Sequence, residues 1–372
     1  MSADYNSNPF LVARDAHAAE SVAVLADLPA TYANESESIA LEPRVQLAET
    51  HGDAQLLPDY EYLDADWHLA SERNSYSASA GWHRDSTFYN VFENDTLQGH
   101  TLPRLEDTAN IAWQRALSGR SDLKLIASYD AVNYSALSRF RLNNFSYPQG
   151  SLQYDRSLSA RLSWTVSSGI GRYDSRGEGA SSENRFLQSS LSRKLSERWT
   201  ISTQLGYSLL NADSKGFICC RLLATPGGLE LQLIPIQQRS SGGTVSYSFN
   251  LERRGERVVL DFNLSRVTQP SGLGALLTQQ DALVRLSLPW SERLTLSANL
   301  HGATQEDTLQ RTGPQLNGRY VNGDLNASWL WTEHWTLALD TSYLLRGQTG
   351  QPRGSGATVS FTLTRQFGRL EL

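Results

Sequence analysis

The chain has 372 residues, a formal net charge of -6 and 40% hydrophobic residues, which is long enough for two ordinary soluble domains or one large closed sheet. Mean hydropathy is -0.41, and no run of about 18 apolar residues occurs; this excludes a transmembrane helix but not a β-barrel, in which only alternate strand residues meet lipid. The mild acidity argues against nucleic acid as a partner.

The start, Met1-Ser2-Ala3-Asp4-Tyr5, lacks the basic and apolar regions of a signal peptide. Met1 is read as an initiator placed before a mature exported sequence, with a protein that never carried a signal as the alternative. Residues 1–38 are rich in Ala, Asp, Glu and Asn, with an apolar patch at Val22-Ala23-Val24-Leu25 and a break at Pro29. They are expected to form a periplasmic tail, a short helix, or a plug in a lumen. Residues 39–372 are expected to form a transmembrane barrel.

Past this segment, period-two alternation dominates. Strands are expected at 40–49, 59–71 and 74–86, the last two joined by Ser71-Glu72-Arg73-Asn74. Those at 106–117 and 121–134 flank Ser118-Gly119-Arg120-Ser121. Those at 152–164 and 166–174 have no clear turn between them near Ser167-Ser168-Gly169. Strands at 184–195 and 199–211 flank Ser196-Glu197-Arg198-Trp199, and those at 242–252 and 256–268 flank Arg253-Arg254-Gly255-Glu256. In the latter, Val258, Leu260, Phe262 and Leu264 share one face, and Val259, Asp261, Asn263 and Ser265 the other. Strands at 280–290 and 293–304 flank Ser291-Glu292-Arg293-Leu294, and those at 319–331 and 334–346 flank Thr332-Glu333-His334-Trp335. In a final strand at 355–367, Ala357, Val359, Phe361 and Leu363 alternate with Thr358, Ser360, Thr362 and Thr364. Arg365 interrupts its apolar face near enough to the end to snorkel. Apolar spacing of two rather than three or four excludes helices here.

Short polar turns close one end of these strands, while longer connections near 50–58, 87–105, 135–151, 175–183, 212–239, 269–279, 305–317 and 347–354 close the other. That asymmetry predicts an all-β fold: a transmembrane antiparallel barrel with short periplasmic turns and long extracellular loops. About sixteen strands are expected, or fourteen if the region 161–174 lacks a hairpin. A soluble sandwich would need apolar residues on its inner face, and the alternate face here is Ser, Thr, Asn, Gln and charged residues. Trp199, Trp290, Trp331 and Trp335 gather at the tight-turn ends, as an interfacial girdle does.

From about residue 38 onward the chain resembles a diverse family of bacterial outer-membrane β-barrel proteins, some associated with exopolysaccharide systems. The resemblance rests on Arg44-Val45-Gln46-Leu47, Arg84-Asp85-Ser86-Thr87-Phe88, and the repeated turns Ser196-Glu197-Arg198-Trp199-Thr200 and Ser291-Glu292-Arg293-Leu294-Thr295. It implies the outer membrane of a Gram-negative bacterium, and surface transport or polymer export without a named cargo. The chain departs from common outer-membrane barrels by ending Arg369-Leu370-Glu371-Leu372, with Phe367 as its last candidate lipid-facing aromatic.

With the apolar alternates facing lipid, the lumen is expected to be lined by Glu42, Arg44, Asp64, Asp66, Lys124, Asp130, Asp155, Arg161, Lys194, Glu252, Asp261, Arg285, Asp324 and Asp340. Charges at those depths need water or partners. Two readings follow: a channel passing a hydrophilic solute or secreted polysaccharide, and a closed barrel that displays loops or holds a periplasmic partner. The acidic bias disfavours an anionic polymer. Tyr89, Phe92, Phe140, Phe145 and Tyr147 are candidates for stacking on sugar rings, or for holding the loops together. The segment 212–239, with Phe217-Ile218-Cys219-Cys220 and Leu229-Glu230-Leu231-Gln232-Leu233, is expected to fold inward as a constriction, to rise as a two-stranded partner-binding ledge, or to form a plain β-extension packed on neighbouring loops. The adjacent cysteines provide no disulfide framework and no metal spacing, and no cofactor is expected. A hydrolase needs Ser, His and a carboxylate converging; His68, His83 and Asp85 are the one set that invites inspection, and the chain is not expected to be an enzyme.

Overall fold

The computed structural model describes residues 2–8, 18–52, 59–87, 101–135, 142–176, 180–225, 228–272, 275–307, 318–348, 353–365 and 370–371, with the backbone alone for 214–238. Its strands are β1 (Ser2–Asn6), β2 (Ala19–Asp27), β3 (Ala30–Ala33), β4 (Glu37–His51), β5 (Tyr60–Ala70), β6 (Asn74–Ser86), β7 (Pro103–Ser118), β8 (Ser121–Tyr134), β9 (Phe145–Ser159) and β10 (Leu162–Ser175). They continue as β11 (Ser181–Lys194), β12 (Trp199–Thr225), β13 (Gly228–Arg254), β14 (Val259–Ser271), β15 (Ala275–Pro289), β16 (Leu294–Asp307), β17 (Gly318–Thr332), β18 (Trp335–Gln348), β19 (Gly354–Arg365) and β20 (Leu370–Glu371).

From β4 to β19 each strand pairs antiparallel with its successor, and β1 closes the ring between β19 and β2. Because β2 and β3 both run along β4, and β20 follows β19, the wall is a closed barrel of 18 strands. The expectation of sixteen, or fourteen, is corrected upward. Both extra strands, β1 and β2, come from the segment expected to be a tail, helix or plug. β1 is only five residues long, and Leu28-Pro29 interrupts the β2–β3 edge, because proline has no N–H for the ladder. Where β1 does not reach, β20 lies parallel against β3, Leu370 beside Ala30 and Glu371 beside Thr31. Closure matters because hydrocarbon offers no partner to a free strand edge.

The recurrent turns have a common cause. In Ser196-Glu197-Arg198-Trp199 the Ser196 Oγ accepts the N–H groups of Arg198 and Trp199, each at 3.2 Å. Ser291 does the same for Arg293 at 3.3 Å and Leu294 at 3.1 Å. A serine that satisfies two backbone donors fixes a tight reversal without glycine. Asn34 Oδ1 plays that part before β4, accepting from Ser36 at 2.9 Å and Glu37 at 2.8 Å. The turn between β9 and β10 is Ala160-Arg161, earlier than the vicinity of Ser167-Gly169, so no hairpin is lost.

The outer face carries the apolar alternates: Leu47, Leu63, Ile111, Leu187, Leu205, Leu300, Leu325 and Phe361 are all exposed large hydrophobic residues. At the tight-turn end Trp290 is 75% exposed, Arg253 lies over the Trp199 ring at 5.6 Å, and Arg365 over Trp335 at 5.5 Å. The aromatic girdle is therefore partly capped by arginines. β12 and β13 stay paired from Asp213–Arg239 out to Thr225–Gly228. A dozen residues per strand at about 3.3 Å each make a ribbon of roughly 40 Å rising from the wall. The segment 212–239 is thus a two-stranded β-extension and not an open loop.

Candidate functional site: a charged lumen with an inward-bent hairpin

Register carries the lumen face around the barrel. Glu42 pairs with Asp64 and Arg44 with Tyr62, Lys124 with Gln153 and Asp122 with Asp155, Glu252 with Asp261, Asp261 with Arg285, and Asn326 with Asp340. All lie on alternates opposite the exposed apolar residues, together with Asp66, Asp130 and Asp324. Arg161 is an exposed residue of the β9–β10 turn. Lys194, the last residue of β11, is exposed at the mouth on the lumen alternate, in register with Thr200 and through it with Glu252, and its N–H donates to the Arg161 carbonyl at 2.9 Å.

The most connected stretch of lumen wall spans β4 to β7. Arg44 donates to Asp64 Oδ2 at 2.8 Å, and His83 Nε2 is 2.8 Å from Asp64 Oδ1. One register step toward the extracellular end, Arg104 grips Asp85 with two bonds, Nε to Oδ1 at 2.8 Å and an Nη to Oδ2 at 2.9 Å. The Tyr62 hydroxyl donates to Asp85 at 2.9 Å, and Arg104 also reaches Glu106 at 3.2 Å. The Asp85 side chain is 2% exposed and that of Arg104 13%, so this fork is a buried structural pair, while Arg44 and Asp64 border water. Gly81 leaves room for the arrangement: a Cβ there would meet Thr108 Oγ1 at 2.6 Å and Asp64 Oδ1 at 3.0 Å.

A second lumen group spans β15 to β17. His301 Nε2 is 3.1 Å from Asp281, the Tyr320 hydroxyl is 2.9 Å from His301 Nδ1, and Asn322 donates to both oxygens of Asp324 at 2.8 and 2.9 Å. Further toward the periplasmic end, Asn326 donates to Asp340 at 2.5 Å, and on β9–β10 Thr165 donates to Asp155 at 2.5 Å. Arg104, Glu106 and Asp281 belong to the lumen beyond the residues read from sequence. Glu106 and Asp281 follow the alternation of the strands expected at 106–117 and 280–290, whereas Arg104 falls in the segment 87–105 that read as a loop.

At the extracellular end the lumen is pinched. β13 pairs with β14 only as far as Tyr247–Arg266, although β13 continues against β12 and β14 against β15. Above that level the β14–β15 tip leaves the wall and reaches over to β8–β11. There Tyr173, fully buried, donates its hydroxyl to the Ser271 carbonyl at 2.9 Å, and Asn143 N–H donates to the Gly272 carbonyl at 2.6 Å. The Tyr134 ring reaches over Gly272: a Cβ built there would lie 2.3 Å from its hydroxyl and would have to displace it. Val132, Tyr134, Phe145, Tyr147, Tyr173, Leu210 and Leu276 form one buried cluster at this contact, with the rings of Phe145 and Tyr173 5.4 Å apart. An apolar plug of this kind is stable only because it excludes water from both walls.

Phe145 and Tyr147, expected on a ligand-contact loop, are therefore strand residues committed to this cluster. Tyr89, Phe92, Phe140 and the side chains of Cys219 and Cys220 lie outside the described residues. His68, His83 and Asp85 share the lumen wall but not a catalytic geometry: His83 is held by Asp64, and Asp85 by Arg104 and Tyr62. His68 shares a small lumen pocket of 210 Å³ with Asp66, Ser77 and Ser79, and among the described residues no hydrogen bond joins them into a relay.

A closed antiparallel wall with an apolar outer belt and a polar interior defines a transmembrane β-barrel, and its place is the bacterial outer membrane. No protein-family model matches the chain, and no curated protein matches it in sequence. Solved structures do match in fold. The ferric citrate transporter FecA in its unliganded form is 10% identical, with a TM-score of 0.50 over 93% of this chain and 59% of FecA. The ferric-catecholate import receptor Fiu from E. coli K12 in its open form is 8% identical, with a TM-score of 0.49 over 98% of this chain and 81% of Fiu. The ferric yersiniabactin uptake receptor FyuA from Yersinia pestis is 12% identical, with a TM-score of 0.47 over 93% and 60%. The chain thus spans about three-fifths of FecA and of FyuA, and the likeness is one of fold.

Proposed function

We propose that this protein is an outer-membrane channel for a small hydrophilic solute, with a hydrated, charged lumen constricted at its extracellular end by the β14–β15 tip. The observation that carries the reading is the pairing of a polar inward face along the strands with a hairpin bent across the lumen onto β8–β10. A barrel built only as a scaffold has no use for carboxylates along its bore, since each must be hydrated or paired. FecA, which has a like fold, is a ferric citrate transporter, and this supports transport as the class without naming a cargo. A secreted polysaccharide is the second cargo. It is less favoured because Phe145 and Tyr147, which would stack on sugar rings, are buried in the constriction. Planar-bilayer recording of the purified full chain tests the reading. Discrete conductance steps are expected, larger when the β14–β15 tip is shortened; a silent membrane with both the native chain and the shortened variant removes it.

A second reading rests on the β12–β13 ribbon: a barrel that displays a strand pair for a partner protein. Removing 214–238 abolishes partner recovery from native membranes under this reading, and leaves conductance as it was under the first. A periplasmic partner, if one binds, meets the tight-turn rim instead, and its recovery is indifferent to that deletion.

A further inference from the structure

The outward face of β14 to β19 carries a feature the channel does not use. Register sets Arg266, Gln280, Thr304, Arg319 and Gly347 in one line across five strands, each paired with the next. Arg353, just before the Gly354 that pairs with Arg346, extends the line. A Cβ built on Gly347 would lie 3.3 Å from Arg319 Nε and 3.6 Å from Arg353 Cγ, so the two arginine stems meet over this glycine. Two residues closer to the periplasm runs a second line, Leu264, Ala282, Gly302, Val321 and Leu345, again strand partners in turn. A groove of about 460 Å³ is lined by both. Its floor is low at Ala282 and Gly302, and Val321 and Leu345 form its exposed flank.

Elsewhere on the outer face, the arginines near the extracellular end are neutralised by neighbours: Arg84 by Glu61 at 3.5 Å, Arg172 by Asp174 at 3.0 Å, Arg185 by Glu183 at 2.5 Å and Arg239 by Asp213 at 2.8 Å. Among the described residues Arg319 and Arg353 form no ion pair, and Arg266 Nε is out of water without a hydrogen-bond partner. The line stands immediately above the apolar belt, at the level where β13 and β14 part and strand edges can meet water. This is the headgroup level of the outer leaflet. Guanidinium groups recognise phosphate through paired N–H donors, and a shallow apolar groove below them matches an acyl chain.

We propose that this face binds one phosphorylated, multiply acylated lipid of the outer leaflet. Its phosphate is held by Arg319 and Arg353, with Arg266 on the flank, and one chain lies along Ala282, Gly302 and Val321. The site is independent of the lumen and stands or falls apart from the channel reading. Native mass spectrometry of the full chain in detergent micelles tests it, titrated with bisphosphorylated lipid A, dephosphorylated lipid A, or phosphatidylglycerol. Retention of the bisphosphorylated lipid is expected to fall about tenfold in R319Q/R353Q, the size of losing a charge-assisted contact, and to fall alike for the dephosphorylated lipid on the native chain. R172Q/R185Q, on the neutralised side, retains it as the native chain does. Unchanged retention in R319Q/R353Q, or phosphatidylglycerol held as tightly as lipid A, overturns the proposal. If R319Q/R353Q does not fold, Gly302→Trp fills the groove and keeps the arginines; undiminished retention by that variant overturns it equally.

Discussion

The clearest test at the scale of single residues is Asp85. Its carboxylate accepts two bonds from Arg104 and one from Tyr62 in a nearly waterless pocket. Asp85→Asn leaves the buried guanidinium with Glu106, at 3.2 Å, as its remaining counter-charge, and truncating one member of a buried pair costs up to about 3–5 kcal/mol. Equilibrium unfolding in detergent is expected to show a loss of that order. Glu252→Gln is the contrast: Arg254, its partner, is 79% exposed, and exposed pairs are worth about 0–1 kcal/mol. Equal losses from the two substitutions would contradict the burial assigned to the fork. The alternation of sequence placed His83 and Asp85 on one face, and that much was legible. Which carboxylate each basic group meets was not, because partners are set by strand register. His83 pairs across to β5 and finds Asp64, while Asp85 is taken by Arg104 from β7.

Among elements, the β14–β15 tip was the least legible. The segment 269–279 read as an ordinary loop, since polar residues and a glycine pair look alike whether they turn toward solvent or across a lumen. What decides it is the end of the β13–β14 ladder at Tyr247–Arg266 and the small residues Ser271 and Gly272 beneath Tyr173 and Tyr134. By contrast the serine turns were visible, because a side chain that satisfies local N–H groups is a local fact, while the β12–β13 extension stood only as one alternative for the long connection 212–239. If the tip gates the lumen, loosening it changes the current. Tyr173→Phe, which loses the 2.9 Å bond to Ser271, is expected to lengthen openings in bilayer recording. Current indifferent to this change would show that the constriction does not lie in the permeation path. Gly171→Val is the packing counterpart: its new side chain meets Tyr147, since even a Cβ there comes within 2.5 Å of the Tyr147 hydroxyl. Larger steps are the expected result.

For the whole molecule, closure is the property from which the rest follows. The period-two pattern disclosed a barrel because each long strand repeats it. It did not disclose the seam, because β1 has only five residues and β2 carries a continuous apolar patch, Val22-Ala23-Val24-Leu25, in place of clean alternation before the break at Leu28-Pro29. Once the wall is sealed, its inward charges act together. Arg44 and Arg104 are held by Asp64 and Asp85, whereas Glu42, Asp66, Asp130, Asp324 and Asp340 face the lumen without an ion pair among the described residues. Fixed negative charge lining a low-dielectric tube concentrates cations and repels anions, and the effect weakens as the Debye length falls from about 10 Å at 0.1 M salt to about 3 Å at 1 M. The reversal potential in a potassium chloride gradient is therefore expected to have the sign of cation preference at low salt and to move toward zero at high salt. D324N/D340N is expected to reduce it further at either salt, with little change in single-channel conductance at high salt. Anion preference at low salt, or selectivity indifferent to both the salt and the two substitutions, would mean that ions do not travel along this face. The polar bore would then be a hydrated wall rather than a path.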